Sequence, residues 1–130
     1  AWPTKQPIRL VAVFPPGGSV DQVARILAPV LQTALGQNVI VENKGGASGA
    51  IGTAEVARTA PDGYTFAVVF DTHGVNPALQ PNMGFDARRD ITTVALVGTS
   101  PMVISVHADQ PMKPFADVAA ATKGGKSLTY

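Results

Sequence analysis

One alternation in this chain restricts its fold more than any composition figure. Residues 8–14 (IRLVAVF) form a short β-branched apolar run that stops at Pro15-Pro16-Gly17-Gly18. That pattern reads as a buried strand entering a turn. Val20, Val23, Ala24, Leu27, Val30, Leu31, Ala34 and Leu35 then recur at helical spacing, one stripe of an amphipathic helix. Ser19 suits the cap of that helix, Asp21 its first turn and Gly36 its C′ stop. Pro29 lies inside the stripe and predicts a kink, because it removes the bond to the carbonyl of Arg25. A second strand at 39–42 (VIVE), a small-residue helix at about 50–59 and a third strand at 64–70 (YTFAVVF) complete the series. Strand–helix–strand–helix–strand means βαβ units, a parallel sheet and helices on its faces.

Beyond residue 70 the pattern loosens. Asn76-Pro77-Ala78-Leu79 starts a short helix at most, and 81–90 is irregular. Apolar runs at 93–97 and 102–106 flank Gly98-Thr99-Ser100-Pro101, 115–122 reads as a helix, and a last strand begins near Leu128. A chain of 130 residues can bury a core without disulfides or metal. Ten basic and nine acidic side chains, interspersed, leave no basic footprint for nucleic acid. The longest apolar runs are about half a membrane span. With no Cys, thiolate catalysis, Fe–S clusters and Cys-based zinc sites are excluded. The sequence opens directly on Ala1-Trp2-Pro3-Thr4 rather than on a signal peptide, which suits a cytosolic protein and a processed, exported one equally.

Ligands of an open parallel sheet bind outside the carboxyl ends of the strands. Loops 15–21, 43–48 and 71–76 therefore qualify by position. The first offers successive backbone amides from Gly17, Gly18 and Ser19 at a helix N-terminus, a setting that favours an anion. The second is glycine-rich, yet it matches neither a Walker A loop nor the dinucleotide fingerprint, and its simplest use is close helix–sheet packing. Ser19 and Ser48 each lack a glycine that a nucleophile elbow requires. Asp71 and His73 could pair as acid and base, since a histidine titrates near neutral pH, but no nucleophile is specified beside them. His73 and His107 alone cannot supply a histidine metal site. No cofactor or metal is expected.

These strings, in this order, resemble the Bug family, the extracytoplasmic solute-binding proteins of tripartite tricarboxylate transporters. The resemblance runs through Pro7-Ile8-Arg9-Leu10-Val11, Phe14-Pro15-Pro16-Gly17-Gly18-Ser19, Asp21, Ala24-Arg25 and Ala34-Leu35-Gly36-Gln37. It continues through Val41-Glu42-Asn43, Gly49, Ile51-Gly52, Ala60-Pro61-Asp62-Gly63-Tyr64, Asn76-Pro77-Ala78-Leu79, Val106-His107, Leu128 and Tyr130. Pro29 and the string Asp71-Thr72-His73 depart from the family pattern.

The resemblance implies a periplasmic-binding-protein-like (type II) α/β lobe with a doubly wound, mostly parallel sheet. Residues 1–98 would form the first lobe, and 99–130 a crossover and the start of a truncated second lobe. The implied function is non-catalytic capture of a small carboxylate or dicarboxylate in the periplasm, for hand-over to the membrane components of a tripartite transporter. Phe14, Pro16, Gly17, Gly18, Ser19 and Asp21 would hold one carboxylate, while Asp71, Thr72, His73 and Asn76 would read the rest; Asn43 and Gly49 are expected to be structural. Two other readings stand beside this one: a small α/β enzyme acting on an anionic substrate through Asp71 and His73, and a truncated lobe that binds nothing. Unpaired apolar segments beyond Gly98 lead to the further expectation of a homodimer or higher assembly.

Overall fold

The computed structural model describes residues 1–111 and 114–123. It divides into two compact units, Ala1–Val94 and Ala95–Tyr130.

The first unit is built on three parallel strands in the order β2-β1-β3: β1 (Ile8–Ala12), β2 (Val39–Asn43) and β3 (Thr65–Val68). Ile8 pairs with Val39 at one end of the ladder, and Ala12 pairs with both Asn43 and Val68 at the other. Helix α1 (Ser19–Leu35) links β1 to β2. Its stripe packs Ala28, Leu27, Leu31 and Leu35 on Ile8, Leu10, Val39 and Tyr64, while Val20 and Ala24 close over Ala12. The alternate side chains of β1 face the other way. There Val13 meets the segment of α2 (Ala50–Ala57), which approaches closely because Gly49 and Gly52 carry no Cβ. One helix on each face of a parallel sheet is the doubly wound arrangement expected. At the other end of that second face Arg9 forks onto Glu42 (3.0 and 2.7 Å) and reaches Glu55, which Lys44 also meets. The fork holds the Arg9 guanidinium above its ordinary pKa and the Glu42 carboxyl below the usual range.

Several boundaries differ from the sequence reading. β1 ends at Ala12 rather than residue 14, since Pro15 and Pro16 have no amide to continue a ladder. β3 stops at Val68, where its neighbour β1 runs out. Helix α1 runs through Pro29 as one element and ends at Gly36 in the left-handed region (φ 61°). Its cap is Gly18, in extended conformation, and not Ser19, which is already the first helical residue. Residues 71–76, read as a polar loop, instead belong to helix α3 (Thr72–Leu79), with Asp71 as its flanking residue.

In the second unit α4 (Phe115–Lys123) forms where helical spacing placed it. The expected strand at 102–106 does not form: Met102, Val103 and Ile104 are 81%, 80% and 73% exposed, with no strand alongside to complete a ladder among the described residues. The strand expected near Leu128 lies outside the described residues.

Candidate functional site

The strand order doubles back at β1, so the loops leaving β1 and β3 diverge at their carboxyl ends. That switch point is where a doubly wound sheet leaves a crevice. The loop after β1 is the better-defined wall. Gly17 takes φ +86°, a conformation that glycine adopts without strain, and Gly18 turns the chain into α1.

The amides of this turn divide into two kinds. Gly17 N–H donates to Asp21 Oδ2 at 2.8 Å, so it is not the free donor that sequence reasoning assumed. No acceptor among the described residues engages the amides of Gly18 or Ser19. Ser19 is exposed and its hydroxyl makes no cap bond. Two adjacent backbone donors at the positive end of a helix of 17 residues can accept one carboxylate group. Pro16 is exposed at the tip, and the half-buried Phe14 packs on the Ala12, Val20 and Ala24 cluster.

Asp21 sits beneath this turn, 3% exposed. Besides Gly17 N–H, its carboxylate accepts Asn43 Nδ2 at 2.8 Å, and Arg25 Nε lies 3.0 Å from Oδ1. The Gly17 amide, then Arg25 and Asn43, hold its carboxyl down at about 2. Asn43 is the residue that sequence reasoning set aside as structural. From the last position of β2 its Nδ2 also donates to Phe14 O (3.2 Å), and its Oδ1 accepts Arg25 Nη2 (3.2 Å). An asparagine ending a strand beside a ligand loop was the available signal.

Across the switch point Thr72 and His73 lie half-buried in the first turn of α3, with Asp71 exposed before them. No hydrogen bond links the Asp71 and His73 side chains, and no cluster of metal-ligating side chains occurs among the described residues. Asn76, 5% exposed, turns toward the β2–α2 connection: its Nδ2 donates to Ser48 O at 2.9 Å, and its Oδ1 accepts Gln80 Nε2. Gln80 also holds Ala47 O. These two amides brace a 3-10 turn (Ala47–Gly49) in which Ala47 and Ser48 take the left-handed φ values of 47° and 52°. The structure thus places Phe14, Pro16, Gly17 and Gly18 in the β1–α1 turn with Ser19 as the first residue of α1, and Asp71, Thr72 and His73 at the start of α3. It directs Asp21 and Asn76 at backbone groups of this chain. The broad surface recesses lie elsewhere: one of about 710 Å³ along Pro81, Phe85 and Asp90, another of about 470 Å³ against Arg9, Ile40 and Tyr64. Neither contains the β1–α1 loop.

A doubly wound α/β unit with unengaged amides at its switch point is suited to holding a small anion. The family of tripartite tricarboxylate transporter receptors (TctC) matches residues 23–130, and the chain belongs to that family. Among curated relatives, protein BugT of Bordetella pertussis is 42% identical over 101 residues, 76% of this chain and 31% of its own length. The solved periplasmic binding protein BugD superposes with a TM-score of 0.64 at 42% identity, over 66% of this chain and 29% of that one. MatC of Rhodopseudomonas palustris, solved with bound malate, gives 0.65 at 35% identity, over 72% and 32%. The chain therefore spans about a third of the length of such relatives.

Proposed function

We propose that this chain is the first-lobe portion of a periplasmic receptor that captures a small carboxylate, of the dicarboxylate class, for a tripartite uptake system. The observation that carries the reading is the pair of unengaged amides at Gly18 and Ser19, set at the switch point on the positive end of α1. One ligand carboxylate docks on these donors, with the Ser19 hydroxyl beside them. Thr72 and His73, across the crevice, read what lies beyond that carboxylate. The malate bound to MatC supports the ligand class, and the periplasmic naming of BugD supports the compartment. Residues 99–130 then supply the crossover and the start of the second lobe, and the membrane components of the transporter are the partners.

The test is Gly18→Val. Gly18 has an extended backbone and only Pro15 O at 3.5 Å from an added Cβ, so a side chain fits without strain but stands where the ligand must approach. Malate titration calorimetry should show binding by the parent and none by the variant, with the urea midpoint nearly unchanged. Equal malate affinity in both would remove this loop from the site. The comparison is best made in this chain and in one extended to its relatives' length.

A further inference from the structure

We infer that Asn43 is a positioning residue for the anion loop: acting through Asp21 and Phe14 from the end of β2, it fixes which amides of the β1–α1 turn are offered outward. The inference rests on the carboxylate-binding reading of that turn.

The turn leaves β1 at Val13 and enters α1 at Ser19, and Pro15 and Pro16 contribute no amide to hold it. Left alone, so short a glycine-containing turn has several ways to point its remaining donors. Side-chain contacts remove that freedom: Gln22 Nε2 bonds Gly17 O at 3.0 Å, and the others run through Asn43. Its Nδ2 bonds Phe14 O (3.2 Å), which pins the start of the turn to the neighbouring strand. The same nitrogen bonds Asp21 Oδ1 (2.8 Å), leaving Oδ2 to hold Gly17 N–H at 2.8 Å. Its Oδ1 takes Arg25 Nη2, while Arg25 Nε neutralises the Asp21 carboxylate, so the buried charge has a fixed partner. With Gly17 N–H bound to Asp21, the neighbouring amides of Gly18 and Ser19 remain without an acceptor among the described residues. A pre-set donor pair binds an anion more tightly than one that must be ordered on binding, because the ordering cost is already met in the free protein. Position 43 suits this work because β2 pairs with β1 in register, Asn43 opposite Ala12, which brings the side chain level with the turn.

The experiment compares the parent chain with Asn43→Ala, and with Asn43→Ser, which keeps a small hydroxyl should the alanine variant not fold. Glu42→Gln serves as control, since Glu42 precedes Asn43 on β2 but faces Arg9 on the opposite side of the sheet. The first readout is residue-resolved amide hydrogen exchange at neutral pH. Exchange at Gly17 should rise at least tenfold in the Asn43 variant, while Leu10, Val11 and Lys44 keep parental protection; the control should leave Gly17 unmoved. A uniform rise at all these amides, or parental protection at Gly17, would overturn the inference, because either means that Asn43 supports the fold generally or not at all. The second readout is malate affinity by calorimetry, expected to fall five- to tenfold in the Asn43 variant and to stay at the parental value in the control. If the parent binds no malate, the carboxylate reading falls, and exchange at Gly17 still decides whether Asn43 holds the turn.

Discussion

Gly52 and Gly74 both lie within helices, and general helix propensity makes the same prediction for each: alanine should stabilise by up to about 1 kcal/mol. The structure gives them opposite signs. A Cβ on Gly74 meets nothing within 4 Å, so the propensity gain stands. A Cβ on Gly52 would lie 2.5 Å from the backbone oxygen of Lys44, 3.0 Å from Val13 Cγ1 and 3.1 Å from Lys44 Cβ. A backbone carbonyl cannot swing aside as a side-chain tip can, so α2 must lift from β1 or the Lys44 peptide must move. Overpacking costs roughly 1–3 kcal/mol, and a backbone contact of 2.5 Å belongs in the upper half of that range, so a net loss of about 1–2 kcal/mol remains after the propensity gain. In urea, with a slope of about 2 kcal/mol per molar, Gly52→Ala should lower the midpoint by roughly 0.5–1 M and Gly74→Ala should leave it level or raise it. A Gly52→Ala protein as stable as the parent would show that the close packing of α2 on the sheet is wrong.

Asp21→Asn should flatten the acid limb of stability. The folded-state carboxyl sits at about 2, below the roughly 3.9 of an unfolded aspartate, so its contribution is complete above pH 4 and disappears as pH falls toward 2. Thermal unfolding at pH 5 and pH 2.5 should therefore differ less in the variant than in the parent, and equal differences would refute the role given to this carboxylate. Asn76→Ala removes the donor to Ser48 O and should destabilise by about 1–2 kcal/mol, as for a hydrogen bond whose partner is left behind; an unchanged urea midpoint would contradict it. The exposed apolar side chains Val94, Leu96, Met102, Val103, Ile104 and Phe115 predict self-association, so light scattering at high concentration should report a dimer or larger, and a strict monomer would end that expectation.

What the sequence made legible, and what it hid, follows from how local each signal is. The β-branched run of β1, the stripe of α1 and the Gly36 stop depend on neighbours within one or two turns, and they appear where spacing places them. The strand end at Val68 is set by where its neighbour β1 runs out, which the β3 segment alone does not carry. The polar string Asp71-Thr72-His73 looked like a loop because its residues are poor helix formers. It is helical where its second turn is tied down, Asn76 to Ser48 O and Gln80 to Ala47 O, across more than 25 residues of sequence.

The site divides along the same line. Gly17, Gly18 and Ser19 were readable as an anion loop, since backbone donors at a helix start are a local property. Which of those donors is spent inside the protein was not, because the acceptor on Asp21 is held in place by a residue 22 positions away on β2. The same distance explains why Asn43 looked inert: alone it is a strand-ending asparagine, and only the parallel pairing of β1 with β2 sets it level with Phe14 and Asp21. Aspartate and asparagine, which a reading by charge would aim at the ligand, here serve the backbone that meets it. A negative carboxylate buried under an anion loop is consistent with anion binding because its charge is satisfied by Gly17, Arg25 and Asn43, while the amides of Gly18 and Ser19 stay without an acceptor among the described residues.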